Sequence, residues 1–149
     1  MAANTAPIWT RTPVITPVTI TQSSANVNST APGTIGTNCF LACSSAADGS
    51  FLQKVRFTFV STTHAINSVG TTLQIYISTI NTGATSAANT WLLAEAQAAA
   101  QTITTTTSPY VIEVPINMGV QASRYILVAQ SIAQNANANW NAIAICGEY

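Results

Sequence analysis

Charge is what this chain has least of. Its 149 residues include four Lys or Arg, four Asp or Glu and one His, so 5% are charged and the net charge is zero. An average soluble domain carries about 25%. A neutral chain has no general electrostatic attraction to nucleic acid, to an anionic membrane face or to a charged substrate. Nucleic acid is therefore not an expected partner. Zero net charge also gives little colloidal repulsion, so much of the surface is expected to be covered by neighbours in use. Long apolar runs are absent too. Thr, Asn or Ser interrupts every stretch well before the roughly 18 residues needed to cross a bilayer, and no membrane association is expected. The opening Met1-Ala2-Ala3-Asn4-Thr5-Ala6-Pro7 shows no cationic segment followed by an apolar one. Export by a secretory signal is thus not expected. Cysteine is scarce, with three in all. Cys39 and Cys43, four apart in an extended segment, would share a face roughly 13 Å apart. A disulfide requires Cα atoms within about 7 Å. Both, with Cys146, are expected as small buried packing residues in a reducing cytoplasm.

What is present is β-pattern. A chain of this length is expected to form one domain, burying about 68–70% of its unfolded surface. Residues 1–22 contain Pro7, Pro13 and Pro17 among β-branched residues. Proline donates no ladder bond, so this stretch is expected as an extended arm or edge segment lying on its own body or on a neighbour. A polar linker is expected over 23–36. From 37 to 149 the period is two. "TNCFLACS" predicts a first strand, and Ala46-Ala47-Asp48-Gly49 a turn. "FLQKVRFTFVS" sets Val55, Phe57 and Phe59 against Lys54, Arg56 and Thr58. "TTLQIYISTI" sets Leu73, Ile75 and Ile77 against Gln74, Tyr76 and Ser78. "PYVIEVPI" sends Glu113 outward and marks a sheet edge at Pro115. "RYILVAQSI" and "NWNAIAIC" complete the series, the last expected to be covered on both faces. Ala, Leu, Glu and Gln over 92–101 favour helix, but the Trp91-Leu93-Glu95 alternation predicts a strand over 90–96, with a helical turn after it. Seven or eight short strands make an all-β chain, a single β-sandwich of jelly-roll or immunoglobulin-like type with an extended N-terminal arm.

Catalytic chemistry finds little support. A Ser/His/Asp triad would need His64 and Asp48, the sole residues of their types. Asp48 is accounted for by its turn, and no GxSxG elbow accompanies them. Glu95, Glu113 and Glu148 are the candidate glycosidase carboxylates, though a solvated strand face is the ordinary place for such residues. Cys39, Cys43, Cys146 and His64 are the candidate zinc ligands, without the close CxxC pairs of structural zinc sites. Calcium-type carboxylate clusters and phosphate-binding glycine loops are missing. The expectation is no enzyme, no metal and no cofactor.

The order of motifs resembles a family of small virion proteins of tailed bacteriophages, capsid decoration (cement) or head-associated proteins. "APIWTRTPV", "AADGSFLQKVRFTFV", "NTWLLAEAQ", "RYILVAQS" and "WNAIAICGEY" carry the likeness in sequence order. The resemblance implies a structural protein, made in the host bacterial cytoplasm, that binds and stabilises the outer surface of a phage capsid. Its implied partners are the major capsid protein and further copies of itself, as a trimer or dimer. In that setting Ile8, Trp9, Arg11, Val14, Ile15, Val18 and Ile20 are the expected capsid or subunit contacts of the arm. A carbohydrate-binding or adhesive head-fibre module is the alternative. Exposed coplanar tryptophans would favour it, whereas buried ones would favour decoration.

Overall fold

The computed structural model describes residues 12–21, 23–26, 28–61, 66–104, 106 and 109–148. These form eight strands and no helix: β1 (Thr12–Ile20), β2 (Cys39–Ser44), β3 (Ser50–Ser61), β4 (Thr71–Ser78), β5 (Thr90–Ala98), β6 (Val111–Val120), β7 (Tyr125–Gln130) and β8 (Ala138–Glu148). One sheet has the order β1-β8-β3-β6 and the other β2-β7-β4-β5. Every pairing is antiparallel. Only β4 and β5 are neighbours both in sequence and in a sheet; every other connection crosses between the sheets. This four-plus-four wrapping is that of a jelly roll, and it differs from the hairpin-rich immunoglobulin arrangement. The stretch over 90–98 is strand, longer than the 90–96 expected and bulged between Leu92 and Ala94, and no helical turn follows it over 99–104.

The core lies between the sheets. Period-two alternation on β3 sends Val55, Phe57 and Phe59 inward, where they are buried, while Arg56 is exposed and Lys54 and Thr58 are half-buried. A bulge between Leu52 and Lys54 shifts the register against both neighbours. It lets Leu52 and Val55, three apart, point the same way. Trp140 on β8 is the largest fully buried side chain. Phe59 and Tyr110 meet it edge-on, with ring centroids 5.3 and 5.4 Å away. Such pairs add about 0.5–1.5 kcal/mol to the burial itself. The indole Nε1 is buried without a hydrogen-bond partner among the described residues, a cost of about 1–3 kcal/mol that this packing must offset.

The outer part of the expected arm belongs to the body. Residues 12–20 pair along their whole length with β8, from Thr12 opposite Glu148 to Ile20 opposite Trp140. Residues 12–20 are therefore a strand of the sandwich and not part of an arm separate from it. Ile20 is fully buried, and Val14 and Val18 pack against the core, so these three serve the fold. Ile8, Trp9 and Arg11 lie outside the described residues. Pro13 and Pro17 share strand parity, so both can turn their donorless nitrogens to the free edge of β1.

The expected linker is a strap across the outer face of the second sheet. Asn26 Nδ2 donates to Gln74 Oε1 at 3.1 Å and to the Tyr76 hydroxyl at 2.9 Å. Gln74 Nε2 passes the chain on to Glu95 Oε1 at 2.9 Å. The Tyr76 hydroxyl donates to the Asn28 carbonyl at 3.3 Å, and burial pushes its pKa up to about 12. Gln130 Nε2 donates to the carbonyls of Thr21 and Ser24. Beneath this strap Cys39, Tyr76, Leu127 and Ala129 form a second small apolar cluster, with Ile35 and Leu41 at its rim. The polar sequence over 23–36 is thus used to satisfy buried groups.

Two outcomes test this description. Asn26→Ala leaves the Gln74 carbonyl without its donor and removes one partner of the Tyr76 hydroxyl, and should lower unfolding free energy by about 2–3 kcal/mol in urea titration. Removing residues 1–22 should abolish cooperative unfolding, because it strips β1 from β8 and takes away Ile20. Removing residues 1–11 alone should preserve it.

Candidate functional site

The two outer faces of the sandwich differ. The strap lies over one. The other, formed by β1, β8, β3 and β6, can be read as rungs directly from the register. Ile15 stands opposite Ile145, then Lys54, then Pro115; Pro17 stands opposite Ile143, then Arg56, then Glu113; Thr19 stands opposite Asn141, then Thr58, then Val111. The surface is thus apolar over β1 and β8 and charged over β3 and β6. Ile15 is 60% exposed, Pro17 is exposed, and Ile143 and Ile145 are half-buried. "NWNAIAIC" was expected to be covered on both faces, but in the sheet only its Trp140, Ala142, Ala144 and Cys146 face is buried.

Lys54, Arg56 and Glu113 are three of the chain's eight charged residues, gathered on this one face. Lys54 Nζ lies 2.8 Å from Glu113 Oε2. The hydrogen bond from Lys54 holds the Glu113 carboxyl below the usual carboxylate range. The pair is solvent-exposed, so it sets local charge pattern more than stability. At the other end of the face, the Thr19 hydroxyl donates to Asn141 Oδ1 at 2.9 Å across β1 and β8.

Of the expected arm contacts among the described residues, Ile15 is the one that projects onto this surface. Ile143, Ile145 and Pro17 join it there. Their alternation was legible, but nothing in the sequence told which of two apolar faces of the last strand would be left open.

The candidate catalytic and metal residues do not converge. Glu95 bonds Gln74 on the outer side of the second sheet, while Glu113 lies on the outer side of the first. Glu148 ends β8, and exposed Asp48 sits in the turn closed by Gly49 at φ 96°. His64 lies outside the described residues. Cys39 belongs to the cluster beneath the strap, whereas Cys43 and Cys146 belong to the main core, so the three thiols do not share a site. Among the described residues no group of three or more His, Cys, Asp or Glu could hold a metal ion. No helix there is long and apolar enough to cross a membrane.

A cleft of about 210 Å³ opens beside Phe59, Tyr110, Ile103 and Pro109 at one end of the sandwich. Its lining is mostly apolar and, among the described residues, holds no ionisable group besides Tyr110. Trp91, 46% exposed on the edge strand β5, lines none of the clefts described.

No family model matches the chain, and no curated protein matches it. Among solved structures it is similar to a chain in the crystal structure of the IBDV viral particle. The identity is 14% and the TM-score 0.31, over 98% of this chain and 34% of that one. The chain thus spans about a third of the length of its structural neighbour. A likeness of this degree carries no weight for function.

Proposed function

We propose that the chain is a structural virion protein that binds the exterior of a bacteriophage capsid and stabilises it, working as many copies on a symmetric shell. The observation that carries this reading is the open face of the first sheet, where Ile15, Pro17, Ile143 and Ile145 form an apolar half beside Lys54, Arg56 and Glu113. Such a face suits docking to another protein surface. Its charges lie over β3 and β6, so covering the apolar half over β1 and β8 costs little ion desolvation. Individually weak contacts add up when copies engage a repeating lattice together. The partners in this reading are the major capsid protein and other copies of the chain, as a trimer or dimer at symmetry positions. The order of sequence motifs, which resembles phage decoration proteins, supports the same reading. The location in this reading is the outer capsid surface, after synthesis in the host cytoplasm. No catalytic role is part of it.

An adhesive or sugar-binding module is the second reading, favoured by Trp91 on β5, whose exposed ring is suited to stacking on a sugar. Trp140 is buried in the core and unsuited to that purpose.

The test is binding of purified protein to capsids that lack it. Ile15→Glu and Ile143→Glu should each weaken decoration at least tenfold while the melting midpoint stays within a few degrees, because both side chains point away from the core. Trp91→Ala should leave decoration unchanged. Full occupancy by the Ile15→Glu, Ile143→Glu double variant would sink the proposal, and glycan binding lost with Trp91→Ala would establish the second reading.

A further inference from the structure

Cys43 and Cys146 meet across the sandwich. In an unbroken strand Cys39 and Cys43 would face the same way, but β2 has a bulge between Leu41 and Cys43. The extra residue turns Cys43 to the opposite side from Cys39, so Ala42 and Cys43 both enter the core, at 0% and 4% exposure. On β8, Cys146 faces inward from between Val14 and Leu52, and it is 5% exposed. Both cysteines belong to the same apolar cluster. Small buried residues lie beside both thiols, Ala42 next to Cys43 and Ala144 two positions before Cys146. Cα atoms of β2 and β8 come within 8 Å of each other. The two thiols interact directly, and the Cys43 thiol also donates to the Ser44 carbonyl at 3.5 Å. Cys39 is remote from them, under the strap against Tyr76.

We propose that Cys43 and Cys146 are a latent inter-sheet disulfide, closed by a peroxide oxidant and joining β2 to β8. This rests on the fold and not on the capsid reading.

The hydrogen bond from Cys146 holds the Cys43 thiol below its ordinary range, although burial and the nearby Glu148 carboxylate oppose this. The same bond, reinforced by burial, pushes Cys146 up. When Cys43 attacks first, Cys146 is the resolving thiol. Cys43 Sγ attacks one oxygen of hydrogen peroxide and the O–O bond breaks. The departing hydroxide takes up the proton that Cys43 released and leaves as water, with a sulfenic acid on Cys43. Cys146 Sγ then attacks the Cys43 sulfur and displaces that oxygen, which leaves as a second water carrying the Cys146 proton. Two thiols have lost two electrons, and one peroxide has become two waters.

A bond between residues 43 and 146 encloses most of the chain, and it ties a strand of one sheet to the central strand of the other. It should raise the melting midpoint by roughly 5–15 °C. The test treats the full-length protein with hydrogen peroxide, unfolds it in iodoacetamide and maps the peptides by mass spectrometry. The expected product is a Cys43–Cys146 linked peptide within one chain, with Cys39 alkylated and a higher midpoint that dithiothreitol reverses. Cys39→Ala should keep the link, and Cys146→Ala should abolish it and leave Cys43 oxidised singly. Recovery of Cys43 and Cys146 both alkylated after treatment would overturn the proposal, as would a link through Cys39 or between chains. The wild-type peptide map decides the matter alone should the Cys146→Ala variant fail to fold.

Discussion

The structure depends on the insertion of β8 between β1 and β3. Seven of the eight strands are in place before the chain reaches residue 138, yet the first sheet has no centre until β8 arrives. β1 pairs with nothing else in that sheet, and β3 pairs otherwise only with β6. The same strand supplies Trp140, around which Phe59 and Tyr110 are set edge-on. Its small residues Ala142, Ala144 and Cys146 let the second sheet come close. A strand at the end of the sequence is thus one of the most deeply held segments of the molecule. Because nearly every connection changes sheets, its native contacts are distant in sequence. Folding should be slow for a domain of this size, since loop closure precedes most of the stabilising pairings.

Where local alternation was strong, the sequence was a good guide. Val55, Phe57 and Phe59 face the core as their spacing requires, and Pro115 stands on an edge strand as a residue without a donor must. Over 90–98 strand prevailed over the helix preference of Ala, Leu and Gln, because β5 gains hydrogen bonds along β4. A bulge between Leu92 and Ala94 nevertheless breaks the alternation, setting Trp91 opposite Ile77 and Glu95 opposite Gln74. Bulges were not legible. The one after Leu41 reverses the side to which Cys43 points, and no residue type at that position announces it. The expectation that Cys39 and Cys43 share a face failed for this reason. The pairing of Cys43 with Cys146 was hidden for the same reason, together with the sheet-to-sheet register, which no local pattern encodes.

The arm and the linker were misjudged for a different reason. Proline-rich and polar stretches read as peripheral because their composition cannot build a central strand or a dry core. Here composition describes what each stretch donates and accepts, and not where it lies. Residues 12–20 use prolines on the free side of an edge strand. The stretch that contains Ser24 and Asn26 uses the Asn26 side chain to meet Gln74 and Tyr76, and the backbone carbonyls of Thr21 and Ser24 to accept from Gln130 Nε2. The candidate contact set divided accordingly, with Val14, Val18 and Ile20 turned inward and Ile15 outward by simple strand parity.

These two facts together give the molecule a front and a back. A sandwich has two outer faces, and in most antiparallel sheets each is made polar enough to meet water alone. Here the second sheet is not, since Cys39, Tyr76, Leu127 and Ala129 form an apolar patch that the chain covers with its own strap. The first sheet carries a comparable apolar half in Ile15, Pro17, Ile143 and Ile145, with no strap among the described residues. The strap cannot serve both faces, because Asn26 and Gln130 fasten it to one side. On the proposed capsid reading, a partner would meet the molecule through the β1-β8-β3-β6 sheet, with the strapped sheet outward. On a repeating surface such polarity is useful, because every copy then presents the same face to its neighbours. In a protein with so few charges, it is the position of the strap, and not an electrostatic field, that sets this orientation.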